Sequence, residues 1–120
     1  MNIEEYRDFC LALPGVTEEF PFDESALVFK VMGKMFALSN VDKFEGINLK
    51  ADPDYSVELR ELYSGINPGY HMNKKHWNTI DTDGSVDDVL MYKLIKDSYN
   101  LVVSGLTKNM KAELDSLSNK

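Results

Sequence analysis

One cysteine, four prolines and no long apolar run set the first limits on this chain of 120 residues. Cys10 has no second cysteine to pair with, which excludes a disulfide-stapled extracellular scaffold. No segment approaches the ~20 consecutive apolar residues of a membrane-spanning helix, so no membrane association is expected. The opening MNIEEYRDF is acidic and amphipathic, without the basic-then-apolar order of a secretory leader, and this predicts a cytoplasmic protein. Gly33, Gly46, Gly65 and Gly69 stand alone, and no GxGxxG, GxSxG or phosphate-loop pattern occurs, so a cradle for nucleotide phosphates is not expected.

Positive charge is scarce as well. Thirteen Lys and Arg face 20 Asp and Glu, a net charge of -7, which works against nonspecific attraction to a polyanion unless the bases are segregated. Residues 1–25, 51–65 and 81–97 are strongly acidic. By contrast, residues 26–50 carry Lys30, Lys34, Lys43 and Lys50 against Asp42 and Glu45, and residues 66–80 carry Lys74 and Lys75 with no acid. The bases are therefore concentrated in two segments that a fold could bring together.

Hydrophobic residues make up 43% of the chain, enough for one compact domain burying roughly two-thirds of its unfolded surface. Ile3, Tyr6, Cys10 and Leu13 recur at helical spacing among acids, and Pro14-Gly15 ends this first helix. ALVFKV (26–31) and MFALSNV (35–41) read as two strands joined by a short connection at Met32-Gly33-Lys34, and INLKA (47–51) as a third. Asp52 and Pro53 predict a helix start, N-cap followed by first-turn proline, and Val57, Leu59 and Leu62 continue it until SGINPG. Tyr70–Met72 and His76–Asp81 read as extended pieces around Asn73-Lys74-Lys75. Ser85-Val86-Asp87-Asp88 predicts the start of the longest helix, which runs to about Gly105. Met110, Leu114 and Leu117 allow one more short helix in a polar tail, residues 107–120, beyond a domain of residues 1–106. The expected class is α+β, an antiparallel sheet with helices packed on one face in the order α-β-β-β-α-β-β-α.

The stretch NPGYHMNKKHWNTI (67–80) gathers both histidines, the only tryptophan and the only adjacent lysines. His71 and His76, with Asp81 or Asp83, meet zinc spacing poorly, and no cofactor or metal is expected there. Cys10 lies on an apolar helix stripe, where cysteine behaves as a small hydrophobe, and no catalytic set is identified. Nucleic acid is the coherent reading. Lys74 and Lys75 at a loop tip, with Lys30 and Lys34 on the preceding hairpin, suit phosphates. Asn73 suits a phosphate or base edge, and Tyr70, His71 or His76 suit stacking. Trp77 is expected to lean toward burial. The alternative is a metal-ion or protein interaction module on the acidic face of the first helix, using Glu4, Glu5 and Asp8 with Glu18, Glu19, Asp23 and Glu24 nearby.

LPGV (13–16), KVMGKMFAL (30–38), the Asp52-Pro53 helix with ELRELY (58–63), PGYHMNKKHWNTI (68–80) and DSYNLV (97–102) together resemble the MmcQ/YjbR family of small bacterial proteins. The resemblance covers nearly the whole chain to about Leu106, and PGYHMNKKHW is its most specific part. It implies a CyaY/frataxin-like α+β fold and a DNA-binding role. The family motif falls on Pro68, Gly69, Tyr70, His71, Asn73, Lys74, His76, Trp77 and Asn78, without implying a catalytic residue. The partner so implied is DNA, bound weakly and in a salt-sensitive manner.

Overall fold

Alternation of apolar and polar residues from Val16 to Lys50 produces four consecutive strands, and a computed structural model describes how the rest of the chain covers them, for residues 1–69 and 72–118. The elements are α1 (Ile3–Ala12), β1 (Val16–Glu19), β2 (Ala26–Val31), β3 (Lys34–Asn40), β4 (Gly46–Lys50), α2 (Pro53–Leu62), β5 (Ile66–Pro68), β6 (Trp77–Asp81), α3 (Asp88–Ser104) and α4 (Lys108–Ser118). The strands form one antiparallel sheet in the order β1-β2-β3-β4-β6-β5. The class is therefore α+β, as expected, with six strands and four helices.

The order differs from the expected one at both ends. Val16–Glu19 forms an additional edge strand, β1, where the acidic sequence reads as loop; charge on an edge strand is one way proteins discourage a further strand from pairing. The partner of β6 is Ile66–Pro68, and Met72 lies in a bend. Proline made this segment look like loop, yet at a sheet edge its missing N–H costs no ladder bond. The helix cap at α3 is Asp87, whose carboxylate accepts from Leu90 N at 3.0 Å, one or two residues beyond the expected start. α4 forms, and its Leu114 is buried against Gly15.

The expected α2 start holds: Asp52 Oδ2 accepts from Asp54 N and Tyr55 N ahead of Pro53. Asn2 and Glu5, not anticipated, close a capping box on α1. The β2–β3 hairpin turns through Met32 at φ 50° and Gly33 at φ 81°, the positive pair that a two-residue turn matching strand twist requires.

Phe29, Ala37, Leu49 and Asn78 lie opposite one another across four strands, as do Leu27, Ser39, Ile47, Ile80 and Ile66, so both rows point to the same face. That face is covered. Tyr6 of α1 packs edge-on against Phe29 with ring centroids 5.3 Å apart, and Phe36 packs edge-on against Tyr99 of α3 at 5.5 Å. Beyond the Ala37–Leu49 pair of β3 and β4, Ser98 of α3 links the two strands, donating to Phe36 O at 2.6 Å while accepting from Lys50 N at 2.9 Å. One buried hydroxyl thus satisfies two backbone groups. Tyr99 Oη donates to Pro14 O at 2.6 Å, which ties the DSYNLV segment to LPGV.

Candidate functional site

The side chains between those rows point the other way. Lys30 and Met35 face each other across β2 and β3, and Lys50 faces Trp77 across β4 and β6; all four are half-buried and belong to the sheet face away from the helices. They share one end of the sheet, because the β2–β3 turn closes there, β4 ends there and β6 begins there. Neighbouring strands lie about 4.8 Å apart, so this end forms a single short row. The opposite end carries Asp23, Asp42, Glu45, Asp81 and Asp83 beside Lys43. The uncovered face is thus polarised along its strands, basic at one end and acidic at the other. Segregation of this kind is what an acidic chain needs in order to meet a polyanion.

Residues 72–76 rise beside the basic end as a compact turn. Asn73 O accepts from His76 N at 3.2 Å and from Trp77 N at 2.9 Å, while Asn73 Oδ1 accepts from Lys75 N at 3.0 Å. Gly69 N donates to Trp77 O at 2.8 Å, and a Cβ on Gly69 would meet Trp77 Cβ at 2.9 Å, so only glycine allows this approach. Arg60 of α2 holds the turn from the helix side. Its Nε donates to Asn78 Oδ1 at 2.7 Å and its Nη2 to Lys74 O at 2.5 Å, and Asn78 Nδ2 donates to Ser56 Oγ at 3.2 Å. With its backbone carbonyl held, Lys74 projects an exposed side chain beside exposed Lys75 and Asn73.

The model of the YjbR family matches residues 11–101 of this sequence. The chain belongs to the YjbR family. Its relatives include the Escherichia coli O157:H7 protein YbdF, 44% identical over 88% of this chain and 87% of the relative, and YjbR of Escherichia coli K12, 34% identical over 87% of this chain and 89% of the relative. Both of those proteins bear the description uncharacterized. A crystal structure of the Deinococcus radiodurans protein DR2400 is 40% identical, superposes with a TM-score of 0.90, and covers 95% of this chain and 88% of that one. A crystal structure of a Pseudomonas syringae protein matches with a TM-score of 0.72 at 30% identity, over 84% of this chain and 98% of that one.

Against this YjbR-family fold the expected site residues fall into three groups. Lys74, Lys75, Asn73 and His76 are gathered in the turn, with His76 half-buried and its carbonyl accepting from Ala51 N at 2.9 Å. Lys34 is exposed at the same end of the sheet, while Lys30 is paired with Glu19 at 3.4 Å and so partly neutralised. Tyr70 and His71 lie outside the described residues. Lys50 was missed, although its alternation with buried Leu49 and Ile47 in INLKA places it on the uncovered face.

The competing chemistries find less support in these geometries. Burial pushes the Cys10 thiol well above the usual range, away from the thiolate that nucleophilic chemistry needs. Among the described residues no three His, Cys, Asp or Glu side chains converge on a metal position. On the acidic side of α1, Glu18 is held by Arg7 through two bonds of 2.7 and 2.8 Å, and Glu19 by Lys30 and Thr17. Those carboxylates already have partners.

Proposed function

We propose that this YjbR-family chain is a noncatalytic nucleic-acid-binding protein that takes DNA weakly, in single-stranded form, at the basic end of its uncovered sheet face. The observation that carries the reading is the Lys50–Trp77 pair on that face, flanked by the exposed Lys74-Lys75 turn. Lysines at that end neutralise phosphates, while an aromatic ring standing among them offers a base something to stack on; together they suit an unpaired strand laid across a sheet better than a duplex groove. The acidic opposite end limits how far the strand extends, which fits weak affinity and a small site. With this reading we keep the CyaY/frataxin-like assignment of the fold, supported by helices gathered on one face of an antiparallel sheet, and a cytoplasmic location.

Trp77 is the only tryptophan, so its fluorescence reports the contact directly. Titration with a short single-stranded oligonucleotide at about 20 mM salt is expected to quench it saturably, and the quenching is expected to fade by about 200 mM salt as counterion release is suppressed. Lys74→Glu with Lys75→Glu is expected to abolish it. A flat titration at low salt, with no change in oligonucleotide anisotropy, sinks the proposal.

A further inference from the structure

On the helix side of the sheet, α2 and α3 stand apart over β4 and β6 and leave a cavity of about 330 Å³. Its formation follows from the chain path. β4 ends at Lys50, the chain leaves the sheet at Ala51, and Asp52 starts a helix of 10 residues too short to cover the end of α3. The cavity's apolar lining is Leu49, Leu59, Ile80, Leu94 and Leu101 with Tyr55, and Lys50, Asp52 and Asp97 are the charged residues that also line it. At the mouth Lys93 bridges the helices, donating to Asp97 at 2.7 Å and Tyr55 Oη at 3.3 Å, with its ammonium 5.0 Å from the Tyr55 ring. Of the residues placed on the uncovered face, Lys50 also lines this space, and so does Asn78 of the family motif.

One polar group lies deep among the apolar walls. Asn78 is 1% exposed and lines the cavity; its Oδ1 is held by Arg60, and one hydrogen of its Nδ2 goes to Ser56 Oγ. An amide nitrogen carries two hydrogens, so one donor remains in a site where leaving it unmet costs free energy. Mainly apolar walls with the buried Asn78 amide among them, and Lys50, Asn100 and Ser104 also in the lining, match an uncharged molecule with one oxygen acceptor. A carboxylate would lose its hydration to walls that are mainly apolar and replace it poorly.

We infer that the cavity between α2, α3, β4 and β6 is a binding site for a small, uncharged, mainly apolar or aromatic molecule whose carbonyl or hydroxyl oxygen accepts a hydrogen bond from Asn78. This site opens on the helix side of the sheet, shares Lys50 with the uncovered face, and stands whether or not that face binds DNA.

Acetophenone, ethylbenzene and benzoate share a ring and differ only in the group beside it. Titrated into the 15N-labelled full chain, acetophenone is expected to move the backbone amides of Leu49, Asn78, Leu94 and Leu101 saturably, with the Asn78 side-chain NH2 signals moving too. Ethylbenzene is expected to move the backbone set but not the Asn78 NH2, and benzoate to bind at least about tenfold more weakly than acetophenone. Leu101→Trp fills the space and is expected to abolish the shifts; if that variant does not fold, Ser104→Trp on the exposed rim serves the same purpose. The inference is overturned by acetophenone shifts that are absent up to about 10 mM, near the weakest binding worth calling a site. Shifts that map elsewhere, persist in the folded filling variant, or are matched by benzoate also overturn it.

Discussion

Arg60 on α2 and Asn78 on β6 are joined by a hydrogen bond of 2.7 Å from guanidinium to amide, and the same guanidinium reaches the carbonyl of Lys74. One side chain therefore fixes both the strand that lines the cavity and the turn that presents the lysines. A charged donor serving partly buried acceptors is among the stronger protein hydrogen bonds, and its loss strands the Asn78 oxygen. Arg60→Ala is expected to cost about 2–3 kcal/mol in denaturant unfolding. Amide exchange is expected to quicken first at Lys75, His76 and Trp77. Arg60→Lys is expected to recover little, because an ammonium cannot reproduce the planar fork. Unchanged exchange in Arg60→Ala would show that the turn holds itself.

Ser98 offers a sharper test of the sheet. Its hydroxyl is fully buried, donates to Phe36 O and accepts from Lys50 N, so Ser98→Ala leaves two backbone groups without partners while removing only one oxygen. A loss of about 2–3 kcal/mol is expected, well above the ordinary cost of one hydrogen bond. Ser98→Thr, which keeps the oxygen, is expected to overpack and not to restore full stability. A Ser98→Ala cost below about 0.5 kcal/mol would show that water replaces the hydroxyl.

The elements that could be read from the sequence are those whose local chemistry and tertiary role agree. Asp52-Pro53 caps α2 because cap and first-turn preferences need no partner, and the hairpin at Met32-Gly33 follows from φ alone. β1 and β5 could not be read, because edge strands need only one neighbour and tolerate the acids of Glu18 and Glu19 or the proline of Pro68. At the site, the exposed lysine tip was legible from the clustering of Lys74 and Lys75. The roles of Gly69, Asn73 and Asn78 were not. Each acts through a partner distant in sequence or through a close approach that only coordinates show, and nothing in the ELRELY run points to the organising role of Arg60.

The lysines are expected to contribute unequally to nucleic-acid binding. Lys30 already meets Glu19, so Lys30→Ala removes a cation that is partly spent, whereas Lys50→Ala and Lys74→Ala remove cations that form no ion pair among the described residues. In salt titrations of oligonucleotide affinity, Lys50→Ala and Lys74→Ala are each expected to lower the slope by up to about 0.7 for a single strand, and Lys30→Ala by clearly less. Glu19→Gln is expected to strengthen binding by freeing Lys30. Equal slopes for all three alanine variants would mean that the ion pair is immaterial.

Tyr6 lies fully buried between Phe29 and Phe44 with its hydroxyl near that of Ser39, and neither hydroxyl makes a well-formed hydrogen bond among the described residues. Burial holds the phenol well above its usual pKa, so it stays neutral throughout the working range. Tyr6→Phe keeps the ring contacts and removes an unmet polar group. It is expected to be neutral or to stabilise by up to about 1 kcal/mol, while Tyr6→Ala costs about 3–5 kcal/mol by opening the core. Thermal unfolding of the two variants checks the pair; a marked loss in Tyr6→Phe would place a bound water on the hydroxyl.

Asp81 and Asp83 sit two residues apart at the acidic end of the sheet and shift in opposite directions. Burial, and then the charge of Asp83, hold the Asp81 carboxyl above its ordinary range, whereas hydrogen bonds from Ser85 hold Asp83 below it. The signs follow separately. Asp83 has a depressed folded pKa, so its contribution is present above the unfolded value and is lost as pH falls through the folded one. For Asp81 the charged form is the penalised one; the penalty is absent below the unfolded value and complete once pH exceeds the raised folded value. Asp81→Asn is therefore expected to raise stability at pH 7, and the gain over the unsubstituted chain is expected to shrink as pH falls through the ordinary aspartate range near 3.8. Asp83→Asn is expected to lower stability at pH 7 and to converge with the unsubstituted chain in acid. Urea unfolding between about pH 3 and 7 separates the two, since any assignment of both shifts to general acidity of this end would require the variants to move together.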